Sequence, residues 1–181
     1  MTPRFDPTRA MVFDLAHGKL RDDEANERLN VPVLLMRQLL ESAGDEATAQ
    51  FARNLGHEVG RRAQGRLGEE GAQAGIGAWT EHLGGQLALL GWGDLSVEQW
   101  GRALVLVIDG APDRMEHLSG ILLEEALRRA LSRDVDLVPF DDAGKLAYLA
   151  LSKPGAQRAR NLKDEGAGLG QVIEKLHQGA G

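Results

Sequence analysis

This 181-residue chain has no cysteine and five histidines among its potentially reactive residues. The missing cysteine excludes a disulfide scaffold, a thiolate zinc site, a cysteine nucleophile and an iron–sulfur cluster. His57 and Glu58 share a predicted helix. The zinc-protease pattern needs a second His four residues after the first, and position 61 is Arg61. His57 is therefore expected at the surface or in secondary packing. Glu81-His82 stands beside Trp79. A histidine in a pocket can hydrogen-bond a ligand hydroxyl, but a partly exposed helical histidine is the commoner case. His117 follows Glu116. Ser119-Gly120 comes soon after, without the Gly-x-Ser-x-Gly elbow that presents a nucleophile. Gly65, Gly68, Gly71, Gly75 and Gly77 form no dinucleotide fingerprint, and no Gly-Lys-Ser/Thr follows them. No catalytic residue, metal ligand or cofactor is assigned.

The aromatic residues say more. They make up only 4% of the chain, and three of them are Trp79, Trp92 and Trp100. Trp92 lies between Gly91 and Gly93, which let the backbone turn sharply and aim a large ring. It reads either as a pocket wall whose indole N–H orients a ligand or as a core plug where helices meet a sheet. Phe51 and Leu55 would share that space. Phe51, Leu55, Trp79 and Trp92 are the candidate ligand-binding set, as apolar walls.

These residues need elements to hold them. Hydrophobic residues are 43% and charged residues 27%, which suits one globular domain with a tail. The net charge of −6 argues against nucleic acid, whose phosphates need clustered Lys and Arg. The first ten residues carry no apolar run, so no secretory signal is read. The longest apolar stretches, Val33–Met36 and Ala103–Ile108, are far short of the roughly 20 residues of a membrane span. A soluble, cytoplasmic protein is the expectation.

Met11 to Leu20 predicts a hairpin turning at His17-Gly18. The mixed-sign run Arg21 to Arg28 predicts a solvated loop. Pro32 opens a helix with Leu35, Leu39 and Leu40 on one face, and Gly44 stops it. Asp45 is expected to cap a longer helix whose face runs Phe51, Leu55, Val59 and which ends near Leu67. A third helix carries Trp79, Leu83, Leu87 and Leu90. Its Gly84-Gly85 pair implies a close helix–helix approach, a kink or a break.

After Gly93 the pattern changes to alternation and then to the apolar run Ala103–Ile108, which suits a buried strand. Asp113 to Leu131 predicts a fourth helix, followed by strands at Val135–Phe140 and Leu146–Leu151. Lys153-Pro154-Gly155 closes the unit, giving a domain over 1–154. Residues 155–181 are expected to be a flexible lead and a short amphipathic helix. Its Leu169, Val172, Ile173 and Leu176 would dock either on their own domain or on a partner. Helices and strands are grouped rather than alternating. The predicted class is α+β, a four-stranded antiparallel sheet packed against helices, with an N-terminal hairpin and a C-terminal helical tail.

In this order, several segments resemble the V4R domain family, in the larger group with Bet3-type transport-particle subunits and haem NO-binding domains. Arg28-Leu-Asn-Val-Pro32 resembles the entry to the first long helix. Phe51 to Gly60 resembles a helix with two glycines four residues apart. Leu90-Gly-Trp-Gly93 resembles the turn before the sheet, Leu118 to Leu122 a helix whose glycine lets backbone press on the sheet, and Phe140 to Gly144 the last hairpin. The likeness covers about residues 11–154. It implies a homodimer built through the helices and a pocket for an apolar small molecule. Some members hold zinc near that pocket; here the corresponding hairpin positions are Leu137, Phe140 and Tyr148, none of which replaces a thiolate or carboxylate. Others have been linked to reduction of a tetrapyrrole vinyl group, for which this chain has no cofactor motif. The resemblance thus implies a non-enzymatic ligand-binding or sensory domain, or alternatively a Bet3-like interaction subunit without a ligand.

Overall fold

The computed structural model describes residues 4–68, 75–132, 134–142 and 144–178. Gly71, in the glycine-rich run, and Ala143, in the last predicted hairpin, lie outside the described residues, as do the first and last three residues. The chain starts with a helical turn α1 (Pro7–Ala10) and strands β1 (Met11–Asp14), β2 (Lys19–Asp22) and β3 (Glu27–Arg28). The predicted hairpin is β1–β2, with Gly18 at φ 62° in its turn. β3 adds a third antiparallel strand that the charged run had concealed.

Four helices follow the predicted order: α2 (Val33–Ala43), α3 (Asp45–Leu67), α4 (Ile76–Leu89) and, after two strands, α5 (Glu116–Leu131). Boundaries shift where the backbone dictates. Gly44 (φ 85°) both ends α2 and precedes α3, so Asp45 sits in the first turn of α3 instead of capping it. A carboxylate there still complements the helix dipole. α5 starts three residues after Asp113, because Arg114 takes a positive φ of 61° and breaks the helical run. The Gly84-Gly85 pair is neither a helix–helix approach nor a kink or break: α4 runs unbroken, and the glycines admit a strand and the N-terminal segment instead. A Cβ on Gly84 would lie 3.2 Å from the Leu95 carbonyl oxygen, and the Phe5 ring lies against Gly85.

The predicted sheet is present: β4 (Asp94–Trp100), β5 (Ala103–Asp109), β6 (Asp136–Asp142) and β7 (Lys145–Leu151), antiparallel in the order β4-β5-β7-β6. The two central strands are covered on both faces, which explains the continuous apolar run in β5. On one face Leu106, Ile108 and Tyr148 pack with α3, α4 and α5 around Leu83, Leu87 and Leu122. On the other, Val105, Val107, Val138 and Leu149 pack with the C-terminal helices.

That second layer corrects two expectations. Ala156 to Gly168 is not a flexible lead; most of it is α6 (Lys153–Asp164), and Lys153-Pro154-Gly155 opens this helix, with Pro154 in the first turn where its missing N–H costs nothing. Its polar exposed face had masked Ala156 and Ala159, which are fully buried against the sheet. α7 (Leu169–Gln178) then docks in cis: Leu169, Val172 and Ile173 are buried and Leu176 packs beside them. A partner contact through these four residues gives way to packing on the chain's own sheet, whose outer face is otherwise apolar. None of the described helices is long and apolar enough to cross a membrane.

Candidate functional site

A cavity of about 630 Å³ lies between the N-terminal strands, α2, α3 and the turn after α4. Phe51 and Leu55, one helical turn apart on α3, form one wall. Trp92 and Met115 form another, and Met11, Phe13 and Leu20 of the hairpin close a third. Three of the four sequence-selected residues therefore come together. Trp79 does not join them. It is buried in the helical core, because its position on α4 faces α3 and the sheet.

Trp92 is placed by its two glycines. Gly91 (φ 73°) and Gly93 (φ 95°) take left-handed conformations, and a Cβ on Gly93 would lie 2.8 Å from Ile108 Cγ2. The ring reaches the cavity, but the indole N–H is not available to orient a ligand. It donates to Ser119 Oγ at 2.9 Å, a bond buried in α5. Tyr148, behind it, donates from its hydroxyl to the Glu116 carbonyl at 2.8 Å. Burial, opposed by a hydrogen bond from Ser119, raises the Tyr148 phenol above its ordinary range. Ser119 and Tyr148 thus serve as struts for Trp92. Trp92 combines both sequence readings: a core plug on one side and a cavity wall on the other.

The other expectations sort by burial. His57 is exposed and its Nδ1 lies 3.5 Å from Glu125 Oε1. His82 is buried, not partly exposed, and meets the Phe5 ring edge-on with centroids 6.3 Å apart. His117 is exposed at the start of α5. Leu137, Phe140 and Tyr148 are all core residues. Among the described residues, no group of three His, Asp or Glu could hold a metal ion.

Beside the cavity lies a feature that sequence reasoning missed. Residues 23–27 of the charged run are exposed, as expected of a solvated loop, but Asp22 is buried and the run's acids reach across to α3. Asp22 is 3% exposed and Arg62 of α3 is 4% exposed, and the two form an ion pair. Arg28 Nε donates to Asp22 Oδ2 at 2.6 Å, and Arg62 Nε donates to Glu58 Oε1 at 2.7 Å. Arg61 pairs with Glu24 and Glu58, and Arg66 with Asp23. The backbone N–H groups of Glu24 and Asn26 also donate to Asp22, at 3.0 and 2.9 Å, forming the turn into β3. Burial pushes the Asp22 carboxyl up, but Asn26, Arg28 and Arg62 outweigh it and hold it at about 2. Arg61 above all holds Glu58 at about 2, against burial and with help from Arg62. The signal that could have found this cluster was Arg61-Arg62 and Arg66 at helical spacing, three cations on α3 facing three consecutive acids, Asp22 to Glu24.

A narrow recess of about 30 Å³ lies beside the cavity, at the ion-pair cluster. It is lined by Asp22, Glu58, Arg62 and Gln86, and shares Arg28 and Leu55 with the cavity. The cavity is thus lined mostly by apolar side chains, with Thr8, Arg28 and Asn30 among them, and has a small polar recess beside it. No known family model and no curated protein matches this chain.

Proposed function

We propose that this chain is a non-enzymatic V4R-like domain that binds a small apolar ligand in the Phe51–Leu55–Trp92 cavity and acts as a sensory or regulatory input. The cavity carries this reading. Its volume lies within the roughly 300–1,000 Å³ usual for small-molecule sites. Its walls are mostly apolar, and Trp92 is fixed by two glycines and a buried hydrogen bond. The glycine pair on α3 and the Gly-Trp-Gly turn, two of the segments that carry the resemblance, both border this part of the fold.

Native mass spectrometry of protein purified from its own host tests the reading. The expected spectrum carries a noncovalent adduct that Leu55→Trp, which pushes a larger ring into the cavity from its α3 wall, weakens while the fold stays intact by circular dichroism. A ligand-free spectrum from wild-type protein, with no uptake of added octane or octan-2-one, would reject it.

A second reading, an interaction subunit, is favoured by α2. Leu40 is its one buried leucine, whereas Leu34, Leu35 and Leu39 are 54%, 54% and 63% exposed, next to Leu29 at 90%. A single chain leaves this surface uncovered, and a second copy is its proposed cover. Leu35→Glu/Leu39→Glu should convert a dimer into a folded monomer in light scattering. A wild-type monomer at 100-micromolar concentration (roughly, the weak end of specific association) would dismiss the homodimer.

A further inference from the structure

The polar recess beside the cavity bears on what the ligand is. Gln86 of α4 lines the recess, is 5% exposed, and its Nε2 has no hydrogen-bond acceptor among the described residues. Leaving a buried amide donor unsatisfied is costly, so such a group marks a place where an acceptor belongs. Arg28 lines both the recess and the cavity. Asp22 takes its Nε and Nη2 hydrogens, and a guanidinium has donors beyond those. Both groups at this recess therefore offer N–H.

Charge narrows the choice further. Arg28, Arg61, Arg62 and Arg66 are matched by Asp22, Asp23, Glu24 and Glu58 in direct ion pairs. The cluster therefore has no surplus positive charge, and two of its carboxylates, Asp22 and Glu58, line the recess itself. Arg28 and Arg62 line it too, so the lining carries no net positive charge to compensate a carboxylate or phosphate entering there. The recess also holds only about one oxygen-sized group, at about 30 Å³.

We infer that the ligand is a neutral amphiphile, an aliphatic or aromatic body carrying one carbonyl-type oxygen, with the body in the Phe51–Leu55–Trp92 cavity and the oxygen accepting from Gln86 Nε2 beside Arg28. This rests on the reading that the cavity binds a small apolar molecule, and names the class of molecule.

Three eight-carbon probes test it: octane, octan-2-one and octanoate, titrated against the whole chain by tryptophan fluorescence and by calorimetry. Octan-2-one should bind more tightly than octanoate. Gln86→Leu should weaken octan-2-one roughly tenfold, the size of one hydrogen bond, while leaving octane unchanged. Gln86→Met serves if the leucine variant fails to fold, and the wild-type order of the three probes decides the matter if both do. Equal effects of the substitution on ketone and alkane would overturn the inference and leave the apolar cavity standing. Tighter binding of octanoate than of octan-2-one would overturn the neutral head. No binding of any probe would overturn the cavity reading and this inference with it.

Discussion

Gly56→Ala and Gly60→Ala, combined, should lower the melting temperature by roughly 5–20 °C, the scale expected when two overpacked sites add in a chain of this size. Both glycines lie on the face of α3 that meets α5. A Cβ at position 56 would strike the Leu122 carbonyl oxygen and lie 2.9 Å from Glu125 Cβ. At position 60 it would strike the Ala126 carbonyl oxygen and lie 2.9 Å from Arg129 Cβ. These obstacles are helix backbone and Cβ atoms, which no side-chain rotation can move. Relief requires α3 and α5 to separate, and that opens the core around Ala52, Ala63, Leu122 and Ala126.

Helix propensity alone predicts the opposite sign, since Ala is favoured over Gly by about 1 kcal/mol in a helix interior. Gly65 isolates that contribution. It lies on the same helix, and a Cβ there meets nothing within 4 Å. Gly65→Ala should therefore raise stability by about 0.4–1 kcal/mol. If all three substitutions stabilise alike in thermal melts, the close approach of α3 to α5 is wrong.

Arg62→Met should destabilise the protein by about 3–5 kcal/mol in urea unfolding at pH 7, the usual result of removing one partner of a buried ion pair. The loss has little to do with the worth of the pair as such. It follows from leaving Asp22, with its side chain 1% exposed, with Arg28 in place of two cations beside its two backbone N–H donors. Adding Asp22→Asn, which keeps an acceptor for Glu24 and Asn26, should recover part of the loss. If the double variant is less stable by the full sum of the two single losses, the two residues are not coupled.

The same cluster sets the acid limit. Asp22 has a carboxyl near 2 in the folded chain against 3.8 ordinarily. A carboxyl lowered by folding stabilises the protein above its unfolded value and loses that stabilisation as pH falls towards the folded one. Asp22 should thus contribute about 2 kcal/mol at neutral pH. That contribution should fade between about pH 4 and pH 2, with Glu58 adding in the same direction. Urea midpoints measured from pH 7 to pH 2.5 should fall steeply in wild type and less steeply in Arg62→Met. A parallel fall in both would assign acid sensitivity to other carboxylates.

The cluster has a structural consequence for the site. It ties β2 and β3 to α3, and the strands so held carry Leu20 and Arg28 over the cavity. Arg62 is therefore a positioning residue for that wall, at one remove from any ligand.

Patterns within one segment were legible in the sequence. Alternation and the apolar run Ala103–Ile108 specified the sheet strands, because a strand's two faces are written two residues apart. The i, i+4 spacing of Phe51 and Leu55 specified one side of a helix. Gly91 and Gly93 specified a turn that aims Trp92. The chain order of these elements was enough for the α+β class, and the absence of cysteine was enough to dismiss thiolate chemistry.

What pairs with what across the chain was decided only by the tertiary structure. Arg21 to Arg28 is polar and mixed in sign, and nothing local distinguishes a solvated loop from one clamped by Arg61, Arg62 and Arg66 some forty residues later. Ala156 and Ala159 are small and set among charges, so the helix they bury became visible only with the outer face of the sheet beneath it. Trp79 and Trp92 look alike in sequence, yet one is core and the other borders the cavity, because that depends on what lies opposite. The same reason governs Trp92's indole N–H, which Ser119 accepts from a segment 27 residues away. Local periodicity fixes which face an element turns inward; the charge, hydrogen-bond partner or empty space it finds there belongs to another part of the chain.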